Sequence, residues 1–261
     1  MKIMGIVNVT PDSFSDGGLY LDPVKGIEHG KELAAAGADV LDIGGESTRP
    51  GAEAVSAEEE LRRVLPVIEG LAGTAPISID TTKAAVARAA IDAGATIVND
   101  VTALRSDPGM AALCADRGVV VVLMHMIGTP RTMQDAPRYE DVTTEVRDFL
   151  LERVDFAISA GIPRGRIWID PGIGFGKTVD HNLALLRATP EFTSTGLPVL
   201  VGPSRKAFIG RIDGSKEGGR LGGTIAACLE ARRGGASMVR VHDVIEVAQA
   251  LRVADQIDAA G

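Results

Sequence analysis

Short apolar runs rich in Val and Ile recur along the whole chain, at residues 3–9, 40–43, 77–79, 96–98, 119–124, 167–169, 199–201 and 238–241. Each is too short for an ordinary helix and lacks the alternation of a half-solvated strand, so each predicts a strand buried on both faces. The segments between them carry a helical period instead: Leu61, Val64, Leu65 and Ile68; Val146, Phe149, Leu150 and Ala157; Val244, Val247, Ala248 and Leu251. Strand and helix alternate from end to end, which is the pattern of a parallel sheet.

Local punctuation agrees. Asp22 before Pro23 marks a helix start, Ser56 with Glu59 reads as a capping box, and Asp243 with Glu246 resembles another. Gly37, Gly94, Gly118, Gly161, Gly196 and Gly235 precede strands, where a helix C-cap needs a residue tolerant of positive φ. Pro66 falls inside the second helical segment and predicts a kink, at a cost of about 3 kcal/mol unless packing compensates.

Eight such units, without a linker or a shift of composition, predict a single domain over residues 1–261. They could spread into an open doubly wound sheet or close into a barrel, for which about 250 residues is the usual length. The ends of the runs decide. Asn8, Asp42, Asp80, Asn99 with Asp100, His125, Asp170, residues 204–206, and Arg240 with His242 place polar groups at every strand end. An open sheet meets ligand only near its topological switch point, whereas all eight carboxyl ends of a barrel face one mouth. The expected fold is therefore a (β/α)8 TIM barrel with its site at the carboxyl ends of the strands.

Composition narrows the function. A net charge of −8 argues against binding a nucleic-acid backbone, which rests on clustered Lys and Arg. No apolar run approaches the roughly 18 residues of a membrane span, and the apolar stretch at residues 1–7 is too short for a secretory signal. Cys114 and Cys228 sit in helix-like segments as small apolar groups rather than as a disulfide framework. A cytoplasmic enzyme acting on small molecules is expected.

Two loops are candidates for chemistry. Residues 8–18 are polar and glycine-ended with one aromatic, and residues 42–52 put two glycines, two hydroxyls and Arg49 after a strand, at a length beyond the usual βα connection of about 2–6 residues. The segment 170–178 ends in Gly-Lys-Thr, but a Walker A loop needs glycine five residues before Gly176, where Pro171 stands. Its chemistry falls to Asp170, with the glycines allowing close packing on a flat ligand and Phe175 offering a ring face. Asp80, Asn99, Asp170 and Lys206 would converge in a closed barrel, a set suited to a planar heterocycle with several N–H groups. Arg240 and His242 lie on one face of a strand as two cationic donors for a phosphate or diphosphate, and neither His125 nor His242 stands in a paired zinc-ligand motif. His29 and His181 fall on helices and read as solvated.

Taken together, residues 8–18, 42–52, 78–81, 99–101, 124–126, 170–177, 204–206 and 240–243 resemble the dihydropteroate synthases of folate biosynthesis, in order and over nearly the whole chain. The resemblance implies a barrel enzyme that joins 6-hydroxymethyl-7,8-dihydropterin diphosphate to 4-aminobenzoate with magnesium, releasing diphosphate, and that is a homodimer and a sulfonamide target. It implies that Asp80, Asn99, Asp170 and Lys206 bind the pterin, with Val101 and Met124 lining the pocket. It further implies Asn8 as a magnesium ligand, Arg240 and His242 on the diphosphate, and Thr48, Arg49, Pro50, Phe14, Phe175 and Ser204 around the aminobenzoate. Asp12, Phe14, Asp16 and Arg49 would order the closing loops, and Asp80, Lys206, Arg240 and His242 would carry the catalysis. Two rival readings are a pterin-binding methyltransferase that transfers methyl to cobalt and a non-catalytic pterin-binding paralogue. Apolar Ala226, Ala227 and Leu229 offer either a dimer face or helix packing on the barrel.

Overall fold

The computed structural model describes residues 1–10, 22–47, 54–129 and 131–260. Its strands are β1 (Lys2–Asn8), β2 (Val40–Gly44), β3 (Ile77–Asp80), β4 (Ile97–Asp100), β5 (Val120–Met124), β6 (Ile167–Asp170), β7 (Leu200–Val201) and β8 (Met238–Val241). They form one parallel sheet in the order β6-β5-β4-β3-β2-β1-β8-β7. A parallel bridge between Ile169 and Val199, with the Ile169 amide donating to the Pro198 carbonyl at 3.0 Å, joins the two ends and closes the ring. The expected (β/α)8 barrel is what the chain forms.

Helices lie between the strands: α1 (Pro23–Ala35), α2 (Ala57–Leu71), α3 (Ala84–Asp92), α4 (Met110–Arg117), α5 (Val142–Ser159), α6 (Val179–Arg187), α7 (Thr189–Thr193), α8 (Ala207–Asp213), α9 (Leu221–Arg233) and α10 (Val244–Ala259). None among the described residues is long and apolar enough to cross a membrane. A barrel needs two apolar layers, and both are present. Inside the ring Met4, Val40, Val122, Leu200 and Met238 pack with Ile97 and Trp168, side chains contributed by seven strands. Outside it, the opposite faces of the strands meet the helices in one continuous core that includes Leu41, Ile79, Val121, Val64, Leu150 and Val247.

Several boundaries and caps differ from expectation. β3, β4 and β6 run on into their terminal polar residues, to Asp80, Asp100 and Asp170, and β2 into Gly44, because ladder pairing uses backbone groups and does not require an apolar side chain. Asp22 caps α1 through the Val24 amide, and the six expected glycines all have positive φ. Only half of the Ser56 box forms: Ser56 accepts from the Glu59 amide, but the Glu59 carboxylate is taken by Arg62 and Arg63. Asp243 makes no side-chain cap, since Arg205 holds its carboxylate. α2 runs through Pro66 without a break, and that residue is exposed. His181 is not simply solvated: its Nδ1 accepts from the Thr178 amide at 3.3 Å and completes a capping box at α6. Ala227 is buried and Leu229 packs on the core, so helix packing accounts for both. Cys114 and Cys228 are free buried thiols.

Candidate active site

Register brings the polar strand ends together. Gly44 on β2 is paired with Asp80 on β3, Asp80 with Asn99 on β4, and Met124 on β5 with Asp170 on β6. At this rim Asp80, Asn99, Val101, Met124, Asp170, Ile173, Phe175, Gly202, Lys206 and Arg240 line one cavity. All four residues expected to grip a planar ring are among them, together with the two apolar wall residues and Phe175. A separate groove, between Met1, Arg232, Arg233 and Ile257, is larger, but its two arginines are already engaged, Arg232 by Asp255 and Asp258 and Arg233 by Glu230.

Arg240 ties the site's charges together. Its Nε donates to Asp42 Oδ2 at 2.5 Å and its Nη2 to Asp80 Oδ2 at 2.8 Å, while Asn99 Nδ2 donates to the same Asp42 oxygen at 3.1 Å. Burial pushes the Asp80 carboxyl upward, and the guanidinium of Arg240 acts against it. Burial likewise opposes charge on Arg240, yet Asp42 and Asp80 together raise its pKa. Asp42 thus belongs to the network although it was expected only as one of the strand-end residues. Its side chain is 0% exposed in the middle of an apolar strand, and a carboxylate in such a run requires a partner. That was the signal.

The β6–α6 loop is built on close approaches. Asp170 Oδ1 accepts from the Gly172 amide at 2.7 Å. Gly172 has φ +71°, and a Cβ there would lie 1.9 Å from the His125 carbonyl oxygen; a Cβ on Gly174 would lie 2.8 Å from Lys206 Cδ. These glycines let Lys206 cross the loop, where its Nζ stands 4.1 Å from the centre of the Phe175 ring. Burial raises Asp170 to about 6, with the Gly172 amide and the charges of Lys206, Lys177 and Arg240 acting against it. The result is a carboxylate flanked by cations and an apolar floor, able to accept from a guanidine-like edge.

Ser204 and His242 meet at the ends of β7 and β8, with Ser204 Oγ 2.9 Å from His242 Nδ1, but neither lines the cavity. Burial, then Arg240 and Arg205, hold His242 down at about 3, so it is neutral rather than the second cation expected beside Arg240. Asn8 ends β1 in register with Gly44, half-buried. No group of three or more His, Cys, Asp or Glu among the described residues could hold a metal ion. Asp12, Phe14, Asp16, Thr48, Arg49 and Pro50 lie outside the described residues. Lys177 and His125 are a second pair beyond the sequence expectations: Lys177 Nζ lies 3.0 Å from His125 Nδ1, deep beneath the loop.

The "Pterin binding enzyme" family model matches residues 4–242. A dihydropteroate synthase of Synechocystis is 48% identical over 258 residues, 98% of this chain and 89% of its own length. Among solved structures, a Xanthomonas albilineans dihydropteroate synthase with 4-aminobenzoic acid superposes with a TM-score of 0.93 at 52% identity, covering 99% of this chain and 93% of that one. The same organism's enzyme in complex with 7,8-dihydropteroate gives 0.90 at 49% identity, over 99% and 94%.

Proposed function

Since this chain belongs to the pterin-binding enzyme family, we propose that its cavity is the place where a pterin diphosphate and 4-aminobenzoate are joined. The activity is that of a dihydropteroate synthase, a transferase of folate biosynthesis: 6-hydroxymethyl-7,8-dihydropterin diphosphate and 4-aminobenzoate give 7,8-dihydropteroate and diphosphate. The observation that carries the site assignment is the meeting of Asp80, Asn99, Asp170, Lys206 and Arg240 around one cavity at the barrel mouth.

In this reading Asp170 accepts from the amino-pyrimidine edge of the ring, and Asn99 and Lys206 fix its remaining polar atoms. Val101, Met124 and Phe175 cover the ring faces. The bond between the methylene carbon and the diphosphate oxygen breaks, the electron pair leaving with diphosphate. Arg240 meets the charge on that leaving group as it develops, and Asp80, 2.8 Å from Arg240, steadies the positive charge delocalised over the pterin. The arylamine nitrogen then bonds to the methylene carbon and gives up a proton, with no strong general base required. Neutral His242 acts as a hydrogen-bonding neighbour of the diphosphate end, and Ser204, whose Oγ lies 2.9 Å from its Nδ1, borders the aminobenzoate. Thr48, Arg49, Pro50 and Phe14 border the aminobenzoate, and Asp12, Asp16 and Arg49 order the loops that exclude water.

Magnesium fits the donor set in one way only. Mg2+ usually takes one or two protein oxygens and fills its shell with phosphates and water, so Asn8 suits an ion carried on the diphosphate rather than an all-protein site. Such an ion would supply charge neutralisation on the leaving group. A homodimer in the cytoplasm completes the proposal. Diphosphate release that requires both substrates separates this reading from a methyltransferase or a non-catalytic pterin binder. Lys206→Ala should leave the fold intact and lower kcat/KM roughly 10- to 100-fold, the scale of one lost charged hydrogen bond; a folded variant with wild-type kinetics overturns the role of Lys206.

A further inference from the structure

The β6–α6 loop holds a cation that the reaction above does not use. Lys177 is 1% exposed, and its Nζ donates to the Phe175 carbonyl at 2.9 Å. The second contact, to His125 Nδ1 at 3.0 Å, fixes the state of that ring: an ammonium has only donors, so Nδ1 presents a lone pair and the proton sits on Nε2. His125 is seated edge-on against Phe149 at 4.8 Å between centres, with Tyr139 at 6.1 Å, and the Tyr139 hydroxyl donates to the Gly176 carbonyl at 2.9 Å. Among the described residues no carboxylate makes an ion pair with Lys177, while the acid whose charge reaches it is Asp170. An apolar side chain of similar length would fill this space without the cost of burying a charge. A buried ammonium whose Nζ would stand 3.4 Å from a Cβ on Gly172, the residue whose amide binds the ligand-facing Asp170, therefore asks for a role.

We propose that Lys177, seated on neutral His125, is the positioning residue of the pterin subsite: it holds the Phe175 carbonyl and supplies, from behind the loop, the positive charge that keeps Asp170 ionised for the ring edge. This deepens the functional reading and rests on it. The charged and titratable groups around the pair are Asp170, Lys206 and Arg240 on the cavity side, and Arg105 and Tyr139 on the side of His125. Burial draws Lys177 down to about 7 and holds His125 near 2, in keeping with a charged lysine and an uncharged imidazole below neutrality.

The test is calorimetric binding of 6-hydroxymethyl-7,8-dihydropterin diphosphate with magnesium, without 4-aminobenzoate, from about pH 5.5 to 8.5. The wild-type protein should lose affinity as pH falls through about 6, where Asp170 takes up a proton. Lys177→Met should bind about fivefold or more weakly at pH 7 and move that acid limb upward by about half a pH unit or more. Its KM for 4-aminobenzoate at saturating pterin should stay within about twofold of wild type. His125→Gln, which keeps an acceptor for the ammonium, should retain the wild-type profile, and His125→Leu should reproduce the shift. Wild-type affinity in Lys177→Met, or a uniform loss with an unmoved acid limb, overturns the proposal in favour of a merely structural lysine. Failure of the wild-type protein to bind the pterin defeats the functional reading instead, and this inference with it.

Discussion

Arg240 sits between two carboxylates that the barrel cannot separate. Asp42 is 0% exposed and Asp80 11%, and both accept from the same guanidinium. Removing one partner of such a buried cluster leaves charge uncompensated, at about 3–5 kcal/mol. Arg240→Met should therefore lose activity and also stability by roughly that amount. The pH dependence has a definite sign. Burial raises Asp80 and Arg240 is what lowers it, so without Arg240 the folded-state pKa climbs further above the unfolded one. A carboxyl whose folded pKa is raised costs the folded state nothing below its unfolded pKa; the cost grows as pH rises between the two values and is complete above the folded one. Urea midpoints should thus differ less between variant and wild type at about pH 5.5 than at pH 8; an equal deficit at both pH values contradicts the coupling. The same cluster shows what residue-by-residue reading reaches. Asp80, Asn99, Asp170 and Lys206 are legible because polar groups follow apolar runs. Asp42 is legible as a strand-end carboxylate but its pairing with Arg240 is not, because Ile43 after it continues the run, and Lys177 is obscured because its Gly-Lys-Thr context draws attention to a phosphate loop that the Pro171 position forbids.

At the scale of elements, the β6–α6 loop depends on its glycines more than on its side chains. Gly172 is clamped between two functions: its amide donates to Asp170, and its α-carbon passes under the His125 carbonyl so closely that a methyl group would stand 1.9 Å from the oxygen. Backbone, not a flexible side-chain tip, blocks that space. Gly172→Ala adds the left-handed penalty of about 1–2 kcal/mol to the displacement of two strand ends. The expected outcome is a folded protein destabilised by about 2–4 kcal/mol in urea, with pterin affinity reduced at least tenfold because Asp170 loses its backbone donor. A variant with wild-type affinity would show that the loop repacks without moving Asp170. Elements themselves were largely readable from periodicity, but their ends were not. Caps are decided by which partner wins a carboxylate: Arg62 and Arg63 take Glu59, and Arg205 takes Asp243, competitions that local spacing does not display.

For the whole molecule, the site exists only if the ring closes, because its residues come from β3, β4, β5, β6, β8 and the loops after β4, β6 and β7. Closure rests on its thinnest seam. β7 is two residues long, and the backbone pairing that joins it to β6 is the isolated Ile169–Val199 bridge just before it. Both sides of that seam are nevertheless fixed by the interior layer, where Leu200 of β7 and the side chain of Trp168 on β6 pack with Met4, Val40, Val122 and Met238. If that shared layer makes residues 1–261 one cooperative unit, opening the seam and dissolving the core are the same event. Trp168, the single tryptophan, reports from that layer, and far-UV ellipticity reports on the helices outside it. Their urea transitions should coincide. Leu200→Ala should move both midpoints down together with the slope unchanged, a stability loss of about 2–5 kcal/mol, since it removes a buried side chain without altering the surface that unfolding exposes. A tryptophan transition well ahead of the ellipticity would mean that the barrel opens at β6–β7 while its helical shell persists. In that case two independently stable parts, rather than one core, would hold the mouth in shape.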